Sequence, residues 1–346
     1  MIRIQNIYYM LAYAFQVLRE EGYRSVAAEE FEYAADLLAA ILAKGVANQV
    51  RRGLYREYVT RTLAMSSPAG KINVSASVKE NSLRKKQLVC ECDEFIENAY
   101  LNRILKTTAL LLIRCPEVAP ERKEALRKTM FYFRKVEEIN PRQIRWSRLS
   151  YHRNNATYMM LINICYLVIK GMLLTEQEGA MKLARYVDMQ HLHRLFEKFV
   201  LAYYRKHYPQ FHPSPSFIDW DVEGEETEYL PMMKADITLR SGDKTLIIDT
   251  KFYSRFLQAN QLFDRRTWHS QHLYQIFAYV KNLDYTHSGK VSGLLLYAKT
   301  DEEMVPDRDY IINGNRISVR TVDLNADFPK ICTQLNAIAE EFLLHG

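Results

Sequence analysis

At 346 residues the chain is too long for one small core and has the length of two ordinary domains. Its 48% hydrophobic and 25% charged residues exclude a disordered, collagen-like or disulfide-stapled protein. A net charge of +6 permits an anionic partner without demanding one.

Asn6 to Leu18 places Ile7, Met10, Leu11, Ala14 and Val17 at three- and four-residue spacing, which predicts an amphipathic helix. Phe31 to Ala47 and Glu94 to Ile113 repeat that pattern and predict two more. Tyr58 to Val78 differs. There Ile72, Val74 and Ala76 alternate with polar neighbours beside the breaker run Ser66-Ser67-Pro68-Ala69-Gly70. Short strands joined by a turn are expected, as a small sheet or a protruding finger. Glu121 to Arg153 is the most basic stretch, with ten cations against four glutamates. It is compatible with a solvated helix face and with a phosphate- or partner-contacting surface. A helix from Thr157 to Leu174 precedes the polar break Thr175-Glu176-Gln177-Glu178-Gly179, where a domain boundary is expected.

Beyond the break the order changes. A helix bearing Leu192, Leu195, Phe196, Phe199, Val200 and Tyr203 ends before Pro209, and an acidic loop spans Asp219 to Glu228. Two strands follow, Met232 to Arg240 and Thr245 to Tyr253, then a loop, a helix from Ser270 to Lys281 and a buried strand from Val291 to Ala298. Helix, strand, strand, helix, strand is an α/β order. The expected fold is therefore α+β overall: a mainly helical N-terminal domain with a small β element, then an α/β domain.

The hairpin between the two strands carries the chemistry. With Gly242-Asp243 as a two-residue turn, Ser241 faces Lys244, Arg240 faces Thr245 and, counting back, Asp236 faces Asp249. Cross-strand neighbours share one side of the sheet, and Lys251 joins them because the strand period is two. Leu246-Ile247-Ile248 marks the strand as buried, so water screens the two carboxylates poorly. Lys251 neutralises part of that charge, and a divalent cation can neutralise the rest. Two carboxylates suit Mg²⁺, which keeps several waters and takes up substrate phosphate oxygens. Metal-assisted phosphodiester hydrolysis fits that assembly, with the lysine orienting the nucleophile or stabilising developing charge. Spacing alone is equally compatible with an exposed edge hairpin, since Asp-x-Lys is common; the apolar run beside Asp249 favours the metal site.

Asp236, twelve residues, then Asp249-Thr250-Lys251 resembles the PD-(D/E)xK nuclease signature, with Ala235 where that signature often has Pro. Leu195-Phe196-Glu197-Lys198-Phe199-Val200 resembles the helix that precedes it, whose Glu reaches the metal directly or through water. Gln275-Ile276-Phe277-Ala278-Tyr279 resembles the Gln-x-x-x-Tyr helix of RecB-like members, which implies that Gln275 and Tyr279 line the active site and DNA side. The resemblance widens with Asn6-Ile7-Tyr8-Tyr9-Met10-Leu11-Ala12-Tyr13-Ala14, Lys44-Gly45-Val46, Arg51-Arg52-Gly53-Leu54, Leu101-Asn102-Arg103-Ile104-Leu105-Lys106, Leu230-Pro231 and His269-Ser270-Gln271-His272-Leu273-Tyr274-Gln275. Together these look like the McrC family, the nuclease subunit of the McrBC modification-dependent restriction system.

That resemblance implies a partner-docking domain over 1–175 and a PD-(D/E)xK restriction-endonuclease-like domain over 176–346. It implies Asp236, Asp249 and Glu197 as Mg²⁺ ligands, with Lys251, Gln275 and Tyr279 completing the catalytic set. The implied partners are an McrB-like AAA+ GTPase, whose GTP hydrolysis the chain stimulates, and double-stranded DNA carrying 5-methylcytosine. GTP would bind the partner, because no Gly-x-x-x-x-Gly-Lys-Ser/Thr run exists here: Gly70-Lys71-Ile72 and Gly289-Lys290-Val291 lack the rest.

Other readings weigh less. Cys90, Cys92, Cys115, Cys165 and Cys332 are odd in number and scattered, the usage of reduced cytoplasmic thiols. Cys90-Glu91-Cys92 is too close for the usual zinc pair. His191 and His193 do not face each other on a helix, so core or surface histidines are expected. No Gly-x-Ser-x-Gly elbow is present. The longest apolar run, Met159 to Ile169, falls short of the roughly 20 residues a bilayer needs, and no signal-peptide pattern opens the chain; a cytoplasmic protein away from the membrane is expected. Two alternatives stay open: a non-catalytic adaptor that activates an AAA+ GTPase, and a stand-alone RecB-like repair nuclease.

Overall fold

The computed structural model describes residues 2–15, 26, 29, 31–151, 155, 157–177, 189–223, 228–252, 257–260, 265–299 and 307–345. Part of the expected 175–179 boundary, the end of the first predicted helix and part of the acidic loop lie outside them. The chain divides into two compact units, Met1–Glu32 with Val187–Gly346, and Tyr33–Tyr186. This differs from the expected division at 175/176, because the first helix belongs to the C-terminal unit.

That helix is α1, Ile4–Ala14. Its aromatic stripe explains the placement. Tyr9 stacks on Phe328 at 4.1 Å, and Tyr13 packs edge-on against Phe199 at 5.5 Å. Nδ2 of the buried Asn6 donates to the carbonyls of Leu324 and Ala326, both at 2.8 Å. Contacts so far apart in sequence are invisible to a helical period.

The unit Tyr33–Tyr186 holds α2 (Ala34–Arg52), a small antiparallel sheet of β1 (Glu57–Met65), β2 (Lys71–Ile72) and β3 (Leu88–Ile96), the short α3 (Val74–Lys79), and helices α4 (Tyr100–Arg114), α5 (Pro120–Met130) and α6 (Tyr158–Gln177). The expected small sheet is present. Val74 and Ala76 lie in a helix instead, started by Asn73, whose Oδ1 accepts from the amide of Ala76 at 3.0 Å. Glu94 to Ile96 close β3 where a helix is expected, because that segment pairs along its length with β1. Only the first part of the basic stretch is helical; Arg127, Lys128, Lys135, Arg145 and Arg148 face solvent, and the guanidinium of Arg134 sits 3.6 Å above the Phe131 ring.

The other unit is built on a mixed six-stranded sheet. Its elements are α7 (Met189–His207), β4 (Ser214–Ile218), β5 (Met233–Ser241), β6 (Lys244–Lys251), a separate pair β7 (Leu257–Asn260) and β8 (Arg265–Trp268), α8 (Ser270–Leu283), β9 (Val291–Lys299), β10 (Arg308–Ile312), β11 (Asn315–Asp323) and α9 (Phe328–His345). The strand order is β10-β11-β9-β6-β5-β4. Strands β6, β9 and β11 run parallel at the centre, and β5 returns antiparallel to β6 through a turn in which Gly242 takes φ +59°. Buried on both faces, the middle of β6 is the apolar run Leu246-Ile247-Ile248. The loop expected after it contains the β7–β8 pair. One glycine sets how closely α8 approaches: a Cβ on Gly293 of β9 would lie 2.7 Å from Cγ1 of Ile276 and 2.8 Å from Cγ2 of Val280. Close approach there seats the helix face that carries Gln275 and Tyr279.

Candidate active site

The hairpin register agrees with the expectation from Ser241↔Lys244 to Ile237↔Ile248, and there the ladder stops. One step further the strands part. The amide of Thr250 donates to Oδ2 of Asp236 at 2.8 Å, and the Thr250 hydroxyl donates to the same oxygen at 2.7 Å. A side chain thus replaces the backbone acceptor that the ladder no longer offers.

On β6, Asp249 is 2% exposed and Lys251 is 7% exposed. Nζ of Lys251 lies 2.5 Å from Oδ2 of Asp249, a close charge pair. This oxygen is fully buried, and the Lys251 ammonium is the polar group set against it. Burial pushes Asp249 up to about 6; the Lys251 ammonium opposes the rise, and the charge of Asp236 adds to it. Lys251 also donates to Oε1 of Gln275 at 2.9 Å, and Nε2 of Gln275 donates to the Tyr279 hydroxyl at 2.9 Å. Gln275 and Tyr279, one turn apart on α8, therefore hold the ammonium from the helix side.

Helix α7 supplies Glu197 and, one turn earlier, His193. Glu197 is raised above the usual carboxylate range, first by burial and then by the charge of Asp236. Nε2 of His193 donates to the Thr250 carbonyl at 2.6 Å. On the far side Nδ1 of His272 meets the hydroxyl of Tyr297 at 2.8 Å, and burial followed by the Lys251 charge depresses His272 to about 4. A neutral imidazole is the form this setting accepts.

Asp236, Asp249, Lys251, Gln275 and Tyr279 thus converge on one end of β6. Asp236 and Asp249 are the pair that could hold a divalent cation. Among the described residues no three His, Cys, Asp or Glu side chains form a metal-holding group, so Glu197, though it feels the charge of Asp236, does not complete a three-acid cluster. Sequence reasoning missed Thr250, His193, His272 and Tyr297 as parts of the site. For Thr250 a signal existed, a hydroxyl between the two residues of the Asp-x-Lys pair; for the others only the packing of α7 and α8 reveals it. All five cysteines are free thiols, and among the described residues no helix is long and apolar enough to cross a membrane.

A mixed sheet flanked by helices, with an acid-bearing hairpin at its centre, defines a mixed α/β unit of nuclease-like fold. The chain belongs to the McrBC 5-methylcytosine restriction system component family, whose model matches residues 4–298. It is 28% identical to the type IV methyl-directed restriction enzyme EcoKMcrBC of Escherichia coli (strain K12), over 99% of this chain and 98% of that protein. Its fold is similar to that of a chain in the refined half-complex from the tetradecameric assembly of Thermococcus gammatolerans McrB AAA+ hexamers with bound McrC. That match has a TM-score of 0.52 at 19% identity and covers 97% of this chain and 76% of the other.

Proposed function

We propose that this chain is the Mg²⁺-dependent endonuclease subunit of a GTP-driven restriction complex that cuts double-stranded DNA carrying 5-methylcytosine. The observation that carries the reading is the buried Asp249 oxygen, paired in charge with Lys251 and near enough to Asp236 for the two charges to act on each other. Two like charges in a poorly screened setting repel unless a cation joins them. The donor chemistry fits Mg²⁺, a hard cation that takes carboxylate oxygens and completes its shell with water and substrate phosphate oxygens. When bound, Mg²⁺ would neutralise phosphate charge and polarise the phosphoryl group.

Each side chain has a part in that chemistry. Asp236 and Asp249 would hold the ion in the PD-(D/E)xK manner, and Glu197 would add a third acid, directly or through water. Lys251 presents its ammonium to the attacking water and to the charge that develops on the phosphate oxygens. Gln275 fixes that ammonium, and Tyr279 fixes the Gln275 amide so that its oxygen faces the lysine.

The partner reading draws on the Thermococcus gammatolerans assembly, in which McrC is bound to McrB AAA+ hexamers. A chain without a Gly-x-x-x-x-Gly-Lys-Ser/Thr cradle needs GTP on another polypeptide. The unit Tyr33–Tyr186 is the partner-docking part, and the unit built on the six-stranded sheet is the nuclease. The test is cleavage of methylated plasmid with Mg²⁺, GTP and an McrB-like partner. Wild type should cut and Asp249→Asn should not, while both raise the partner's GTPase rate. Equal cutting by the two proteins removes the site from the reaction. If neither cuts but both stimulate GTP hydrolysis, the chain is an adaptor.

A further inference from the structure

We infer that Thr250, the residue between the acid and the lysine, is a positioning residue that aims the Asp236 carboxylate for metal capture; this rests on the nuclease reading above. In a strand of period two, the residue between Asp249 and Lys251 belongs to the opposite face and is expected to be a spacer. Thr250 is not one. It is fully buried, and its amide and hydroxyl both donate to the same oxygen, Oδ2 of Asp236, at 2.8 and 2.7 Å. Its carbonyl is held in turn by Nε2 of His193 at 2.6 Å. All three polar atoms of one residue are committed within the site.

Two donors on one carboxylate oxygen stop the group from rotating. The β5–β6 ladder has ended at this step, and on its other side Asp236 falls at the register shift between β5 and β4. Without the Thr250 hydroxyl the carboxylate keeps one tether, the amide, and can swing about it. Asp249 differs: its buried oxygen is set against the Lys251 ammonium and takes no backbone or hydroxyl tether. One carboxylate is oriented by the chain and the other is left to be completed by an ion. A tethered ligand pays its ordering cost during folding, so the ion binds more tightly to it.

The experiment uses Thr250→Val, which keeps the branched shape and the amide but loses the hydroxyl, and Thr250→Ser, which keeps the hydroxyl. Mg²⁺ is titrated against the full chain, reading the rise in melting temperature. In parallel, Mg²⁺ is titrated in plasmid cleavage by the complex with the McrB-like partner. The Val variant should need about tenfold more Mg²⁺ at both midpoints, the lower end of the usual effect of residues that orient metal ligands. The Ser variant should stay within about twofold of wild type. An unchanged midpoint in Thr250→Val overturns the inference, as does Thr250→Ser shifting as far as Val, which would assign the effect to packing. If Thr250→Val does not fold, the Ser variant decides alone: a tenfold shift despite the retained hydroxyl refutes the role. Wild type that neither gains stability with Mg²⁺ nor cuts would overturn the nuclease reading itself, a result distinct from any difference among the Thr250 variants.

Discussion

Replacing Asp249 by Asn should abolish cutting and make the metal-free protein more stable. An acid whose folded pKa stands above its unfolded value binds protons more readily when folded, so its ionised form works against folding. With Asp249 at about 6 in the fold and about 3.9 in the unfolded chain, its own contribution to stability is most favourable below pH 4 and falls as pH rises from 4 to 6. Two pKa units at 1.36 kcal/mol each give a cost of the order of 2–3 kcal/mol at neutral pH. Asn keeps the shape and drops the charge, which removes that cost. Lys251 then loses its charge partner but keeps its hydrogen bond to Gln275. At roughly 2–4 °C per kcal/mol for a unit of 150–250 residues, the melting temperature in EDTA at pH 7.5 should rise by roughly 5 °C or more. At pH 4 wild type and variant should melt together. Adding Mg²⁺ should raise the wild type and leave the variant unmoved. A variant less stable than wild type at pH 7.5 without metal would show that Asp249 is an ordinary structural ion pair, and would refute the reasoning.

Gly293→Ala should lower stability by about 1–3 kcal/mol, because the added methyl meets the stiff, branched Ile276 and Val280 at 2.7 and 2.8 Å. Cutting should fall by more than partner stimulation, since Gln275 next to Ile276 holds Lys251; an unperturbed melting curve would contradict the close packing. The buried Asp284, held by the Ser288 and Gly289 amides, the Ser288 hydroxyl and Asn315, lies at about 2: burial opposes this, and the hydrogen bonds outweigh it. Its contribution, about 2 kcal/mol, is present above pH 4 and lost as pH falls towards 2. Acid titration of the melting temperature should show a steeper acid limb in wild type than in Asp284→Asn; parallel limbs would remove Asp284 from the account.

That Asp249 and Lys251 come together with Asp236 nearby was legible in the sequence because it depends on local rules. A Gly-Asp turn sets the register, a period of two puts Asp249 and Lys251 on one side, and an apolar run announces burial. The preceding helix with Glu197 and the following helix with Gln275 and Tyr279 were legible from their periods, and α7, α8 and β9 form where those periods place them. The strand at Leu88–Ile96 was not, since its end runs into the helical period that starts at Glu94 and its pairing with β1 spans some thirty residues.

By itself the sequence determined which residue types meet at the end of β6, since turn geometry and strand alternation act between neighbours in the chain. Tertiary structure alone decided how they meet. It ended the ladder after Ile237↔Ile248, turned Asp236 onto Thr250, brought His193 to the Thr250 carbonyl, and joined α1 to the unit that holds the site. Each of these depends on groups far apart in sequence competing for one buried hydrogen-bond partner or one apolar face, and the outcome of such a competition is set only when the whole core is packed.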